Sequence, residues 1–143
     1  MFGQDRAQLR DMYYLAWDKY KTKQALEPLE EILVQAMLLH PEYHAVLGQR
    51  DTNIDKEFSP AQQEVNPFLH MGFHVVIFEQ LGSNRPAGIR DSYQKLMETH
   101  KDEHVVQHLL IDCLVDMLTK MQRDGNMPDE NAYLGCVNTN INS

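Results

Sequence analysis

Six of the seven histidines fall in three pairs with partners four residues apart: His40 and His44 in HPEYH, His70 and His74 in HMGFH, His104 and His108 in HVVQH. On a helix, residues four apart share a face, so each pair aims two imidazoles into one small volume. Random placement of seven histidines would give only about 0.3 such pairs, counting helical neighbours alone. Neutral imidazole is the commonest side-chain ligand for transition metals, and helical bundles build metal sites from side chains on facing helices. Asp112 extends the last pair to His104, His108, Asp112 and adds one carboxylate. These seven residues are the candidate metal ligands.

Taken singly, each histidine would read better as a core or helix-end residue donating to a backbone carbonyl. Three pairs shift that balance, because several ionisable rings in an apolar interior need satisfying and one ion satisfies many at once. Six imidazoles exceed the three or four protein ligands of a mononuclear zinc centre, so either two metals bind or some rings support the ligands. Nitrogen-rich sites with one carboxylate suit zinc, iron, nickel or copper and disfavour magnesium and calcium. One or two such ions are therefore expected. His100 lies four residues before His104 but across an expected helix junction, and reads as a surface or capping residue, while the eight methionines read as flexible core filler rather than copper ligands.

Absent motifs prune the chemistry. Zinc proteases need Glu directly after the first His of a pair, where this chain has Pro41, Met71 and Val105. Carboxylate-bridged di-iron bundles carry Glu three residues before His, and no His here has one. Glycine-rich phosphate loops and a nucleophile elbow are missing as well.

The elements that must position these residues are helical. The first helix is expected from Asp5, with Leu9, Met12, Tyr13, Ala16, Trp17 and Tyr20 on its buried face. Pro28 opens a second through Leu29, Ile32, Leu33, Ala36 and Leu39, which puts His40 on the core side before Pro41 interrupts. A short turn through His44 and Leu47 and a polar loop from Gly48 to about Gln63 follow. Asn66 and Pro67 start a third helix, Pro67 to Leu81, apolar enough all round to be central, with His70 and His74 facing inward and Glu79 outward. A fourth is expected from Pro86 to Glu98 and a fifth from Asp102 to Arg123, with a terminal turn around Glu130 to Cys136. The fold class is thus all-α, a single-domain bundle over residues 1–143 with about five helices and a short C-terminal turn.

Bulk properties fit this. Apolar residues make up 43% and charged residues 24%, which suits a globular chain able to bury its own core. A net charge of -8 without a basic stripe speaks against nucleic acid as a partner. Apolar runs such as Val75 to Phe78 are too short to cross a membrane, and the start MFGQDRAQ lacks a signal pattern, so a cytoplasmic location is expected. Cys113 lies in an apolar stretch and reads as a small buried hydrophobe, with no disulfide to Cys136 expected.

The strings PLE from Pro28, HPEYH, NPFLH from Asn66, EQ at Glu79 and Gln80, GIR from Gly88, HVVQHLLIDCL and YLGCV from Tyr133 together resemble a bacterial family without assigned activity, domain of unknown function 1841. The resemblance spans nearly the whole chain. It implies that His104, His108 and position 112 form a His-x-x-x-His-x-x-x-Glu pattern, with Asp112 as the shorter acid, better suited to a hydrogen bond with His108 than to a metal. Two functions follow from the residues: a metal-binding bundle, catalytic if a coordination position stays open, or a metal-free adaptor whose histidines respond to pH. The first is compatible with a small-molecule substrate and with a homodimer.

Overall fold

The computed structural model describes residues 2–54, 56–58 and 66–141, with side chains described from Arg6 onward. Among the described residues there are α-helices and one 3-10 turn but no strand, as the all-α expectation requires. Among the described residues the α-helices number eight rather than about five. Close Cα neighbours divide the chain into two compact units, Met1–Val75 and Val76–Ser143.

In the first unit, α1 (Phe2–Lys21) already runs helically before Asp5, so the expected start there is corrected. Its buried side chains are Arg10, Tyr13, Tyr14, Ala16 and Trp17, while Leu9, Met12 and Tyr20 are exposed. The apolar stripe is narrower than the spacing suggests because Arg10 takes an inward place. Its Nη1 donates to the carbonyls of Asn53 at 2.8 Å and Lys56 at 2.7 Å, and its guanidinium lies over the rings of Phe58 and Phe68. α2 (Pro28–Leu38) begins at Pro28, where the Glu27 N–H donates to the Glu30 carboxylate at 2.9 Å. Lys19 holds that same carboxylate at 3.0 Å and ties α1 to α2. Leu33, Val34, Ala36 and Met37 are buried, but Leu29 is not.

Pro41 cannot continue α2 and opens a 3-10 turn, Pro41–Tyr43, followed by α3 (His44–Leu47). The expected polar loop contains a further helical turn, α4 (Arg50–Asn53), where the Asn53 amide donates to Gln49 O at 2.9 Å. Residues 55 and 59–65 of that loop lie outside the described residues. α5 (Pro67–Ser83) starts as its sequence predicts, with the Asn66 side chain accepting from Phe68 N and Leu69 N. Phe68 then packs on Tyr13 and Tyr14, ring centroids 5.8 and 5.9 Å apart. The helix is not buried all round: Leu69 and Val76 are exposed.

In the second unit, α6 (Ile89–His100) begins at Ile89 rather than Pro86, because Gly88 adopts φ +100°, a left-handed turn that glycine tolerates. Arg90 donates to the carbonyls of Leu81 and Gly82 at the end of α5. α7 (Glu103–Asp124) is capped by Asp102, which accepts from His104 N at 2.9 Å, and stops at Gly125. The terminal segment is a full helix, α8 (Glu130–Thr139), longer than the expected turn because Asp129 caps Ala132 N at 3.0 Å and both Tyr133 and Val137 are buried. The Tyr133 hydroxyl donates to Gln80 Oε1 at 2.7 Å. Packing of α8 on α7 brings the Cα atoms of Cys136 and Cys113 to 5.8 Å, and the two form a disulfide. The expectation of a plain buried Cys113 is corrected: reading the last segment as a loose turn hid its partner. Among the described residues no helix is long and apolar enough to cross a membrane.

Candidate metal centre

His40 sits at the junction of α2 and the 3-10 turn and is 1% exposed. Its Nδ1–H donates to the Ala36 carbonyl, four residues back, at 3.0 Å. That bond selects the tautomer with its lone pair on Nε2. The ring lies nearly parallel to that of Tyr43, 11° between planes and 5.1 Å between centroids, so its plane is fixed from one side. Pro41 ends α2 and opens the 3-10 turn that carries Tyr43 back over His40.

His70 and His74 lie one turn apart on α5, as their spacing predicts. His74 is fully buried and His70 half-buried. Their Nε2 atoms are 3.2 Å apart. The His40 ring meets both edge to face, with centroids 4.8 Å from His70 and 4.5 Å from His74. Each of the three offers a ring nitrogen within 4.8 Å of the others. With metal–nitrogen bonds of about 2.0–2.1 Å, two ligands of a tetrahedral ion stand about 3.3–3.4 Å apart. The His70–His74 separation is close to that edge. The same distance suits an N–H···N hydrogen bond between two neutral imidazoles when no ion intervenes.

The partner of His40 in HPEYH is placed differently. Because Pro41 ends α2, His40 and His44 belong to separate elements and do not share a helix face. His44 packs against Trp17, ring centroids 4.6 Å apart and planes tilted by 41°, and its Nε2 donates to the Met37 carbonyl at 3.0 Å near the end of α2. There it anchors the turn that carries His40 and Tyr43.

In the second unit His104 and His108 are half-buried on α7 with centroids 4.1 Å apart, and Asp112 one turn on is exposed. His100 ends α6. It is half-buried, and its Nε2 is shielded from solvent with no hydrogen-bond partner among the described residues.

Tyr43 is the functional candidate that residue types alone do not single out. It contacts the His40 ring and stands 6.3 Å from that of His70. Burial, and then the Glu42 carboxylate, raise the pKa of its phenol, so it stays neutral across the ordinary pH range. Its place inside HPEYH was the available signal. The Ala36 carbonyl left no signal, since any residue supplies one.

Residues 5–139 match the family described as Domain of unknown function (DUF1841), and the chain belongs to that family. The match takes in all three histidine pairs, Tyr43 and both cysteines. Neither the curated proteins nor the solved structures contain a significant match to the chain.

Proposed function

We propose that this chain binds a transition-metal ion, zinc, iron, nickel or copper, through His40, His70 and His74. The observation that carries this is the approach of three imidazoles in the first unit, with two Nε2 atoms 3.2 Å apart and the His40 tautomer set by a backbone carbonyl. Second-sphere hydrogen bonds of this kind orient ligating histidines and raise their basicity. Three neutral nitrogens leave at least one position of a tetrahedral ion for water or a small-molecule substrate, which is where catalysis would take place. His44, the other first-unit donor of the sequence reading, is part of the proposal as a contributor to this ion, and His104, His108 and Asp112 of the second unit as donors to a second one.

Metal analysis of protein purified without a histidine tag tests the reading. Near-stoichiometric zinc, iron, nickel or copper is expected, lost in the double variant His70→Ala, His74→Ala. Single Ala variants of His44, His104, His108 and Asp112 then sort those four: a donor is one whose loss lowers metal content. The direct His70–His74 hydrogen-bond distance favours a second reading, a metal-free module whose imidazoles satisfy one another and part on protonation. Protein that carries no metal, and whose melting temperature ignores added zinc, iron, nickel and copper, decides for that reading.

A further inference from the structure

Five of the chain's sulfur-bearing side chains line one cavity of about 410 Å³ between α7 and α8: Cys113, Met117, Met121, Met127 and Cys136. Cys113, Met117 and Met121 follow one another at four-residue steps, so α7 presents them along one face. Met127 comes from the connection after Gly125, and Cys136 from α8. None of them belongs to the histidine cluster. Met127 is 84% exposed, although a thioether that served only as core filler would be buried.

Thioether and thiolate sulfurs are soft donors that select copper(I) and its d10 relatives over harder ions. In the disulfide form the groove offers thioethers only. Reduction by two thiol equivalents would free both cysteines: a thiolate attacks the Sγ of half-buried Cys136, the Sγ–Sγ bond breaks towards Cys113, and a second thiolate releases Cys136 with formation of the external disulfide. The protein gains two protons and two electrons and the thiols lose them. With Cα atoms 5.8 Å apart, the freed sulfurs remain close enough to grip one ion together. We infer that the α7–α8 groove is a redox-gated copper(I) site, in which the Cys113–Cys136 dithiol holds the ion, releasing two protons, and Met117 and Met121 supply further sulfur.

The test is a competition for copper(I) between the full-length untagged protein and bicinchoninate under anaerobic conditions. It is run on the oxidised protein and on protein reduced with a phosphine that is then removed. The reduced protein should take one equivalent at least about a hundredfold more tightly than the oxidised protein, with a thiolate-to-copper charge-transfer band. Met117→Leu with Met121→Leu should weaken it about tenfold, and the His70→Ala, His74→Ala variant should keep this tight equivalent even where it loses metal held by the histidines. Cys113→Ser with Cys136→Ser should lose the tight site. Circular dichroism of the reduced wild type controls for folding, and loss of its helical signal would show that the groove is not a preformed site and sink the idea. Equal affinity in the two redox states, or copper(I) lost with the histidines and kept without the cysteines, would overturn it too.

Discussion

The Nδ1–H of His40 donates to the carbonyl of Ala36 at 3.0 Å, and this one bond decides which nitrogen of a buried imidazole can bind anything. The expected tautomer carries its proton on Nδ1 in every metal state. Nitrogen-15 NMR of the imidazole checks it: Nε2 should shift when metal is added, while Nδ1 keeps a bonded proton. Ligation through Nδ1 would mean that the α2 carbonyl does not orient this ring.

Metal bound to the folded chain alone adds RT ln(1 + [L]/Kd) to its stability, about 4 kcal/mol at a thousand times Kd. Stripping the protein with a chelator should therefore lower its melting temperature by several degrees, with recovery on return of the native ion. In the His70→Ala, His74→Ala variant the chelator should do nothing. An equal chelator effect in that variant would place the stabilising ion elsewhere.

The ring of Tyr43 stacks on that of His40, 11° between planes. Tyr43→Phe should then keep metal affinity within about twofold, while Tyr43→Ala removes the face that fixes the His40 ring and should cost about 10- to 100-fold. Isothermal titration with zinc separates the two. Equal losses in both variants would assign the role to the phenol oxygen instead.

The parts of this arrangement that were legible from sequence are those set by local spacing. His70 and His74 share a face because helix geometry requires it, and Asn66 with Pro67 marks the start of α5 because a cap and a fixed dihedral need no tertiary context. His40 and His44 have the same spacing but are parted by Pro41, which sends His44 to Trp17. The disulfide was hidden because it depends on α8 docking on α7, a long-range contact that no local pattern encodes. Arg10 was hidden for a related reason: its inward place is set by carbonyls more than forty residues away.

Arg10 is 4% exposed and spends its charge on the carbonyls of Asn53, Ile54 and Lys56 between two aromatic faces. Arg10→Met keeps most of the volume but leaves three carbonyls without this donor, and should cost about 2–4 kcal/mol in urea unfolding. Arg10→Lys should recover little, because an ammonium cannot stack between rings while forking to several acceptors. A loss under about 0.5 kcal/mol would show that water replaces the guanidinium at little cost.

Alkaline pH reports on the cores of both units. Burial pushes the phenols of Tyr13 and Tyr133 up to about 12, against an ordinary value of 10.0. For Tyr133 the hydrogen bond to Gln80 lowers the value in part. A raised folded-state pKa means that the unfolded chain releases its proton first, so the stabilisation is complete below pH 10 and is lost as pH climbs towards 12. Each tyrosine should steepen that loss by up to about 1.4 kcal/mol per pH unit. Tyr13→Phe should flatten the alkaline limb of stability against pH. Tyr133→Phe should flatten it too, and should also lower stability near neutrality by about 1 kcal/mol through the lost bond to Gln80. Urea unfolding from pH 7 to 12, followed by circular dichroism, measures both, and an alkaline limb unchanged in the two variants would show that neither phenol titrates with unfolding.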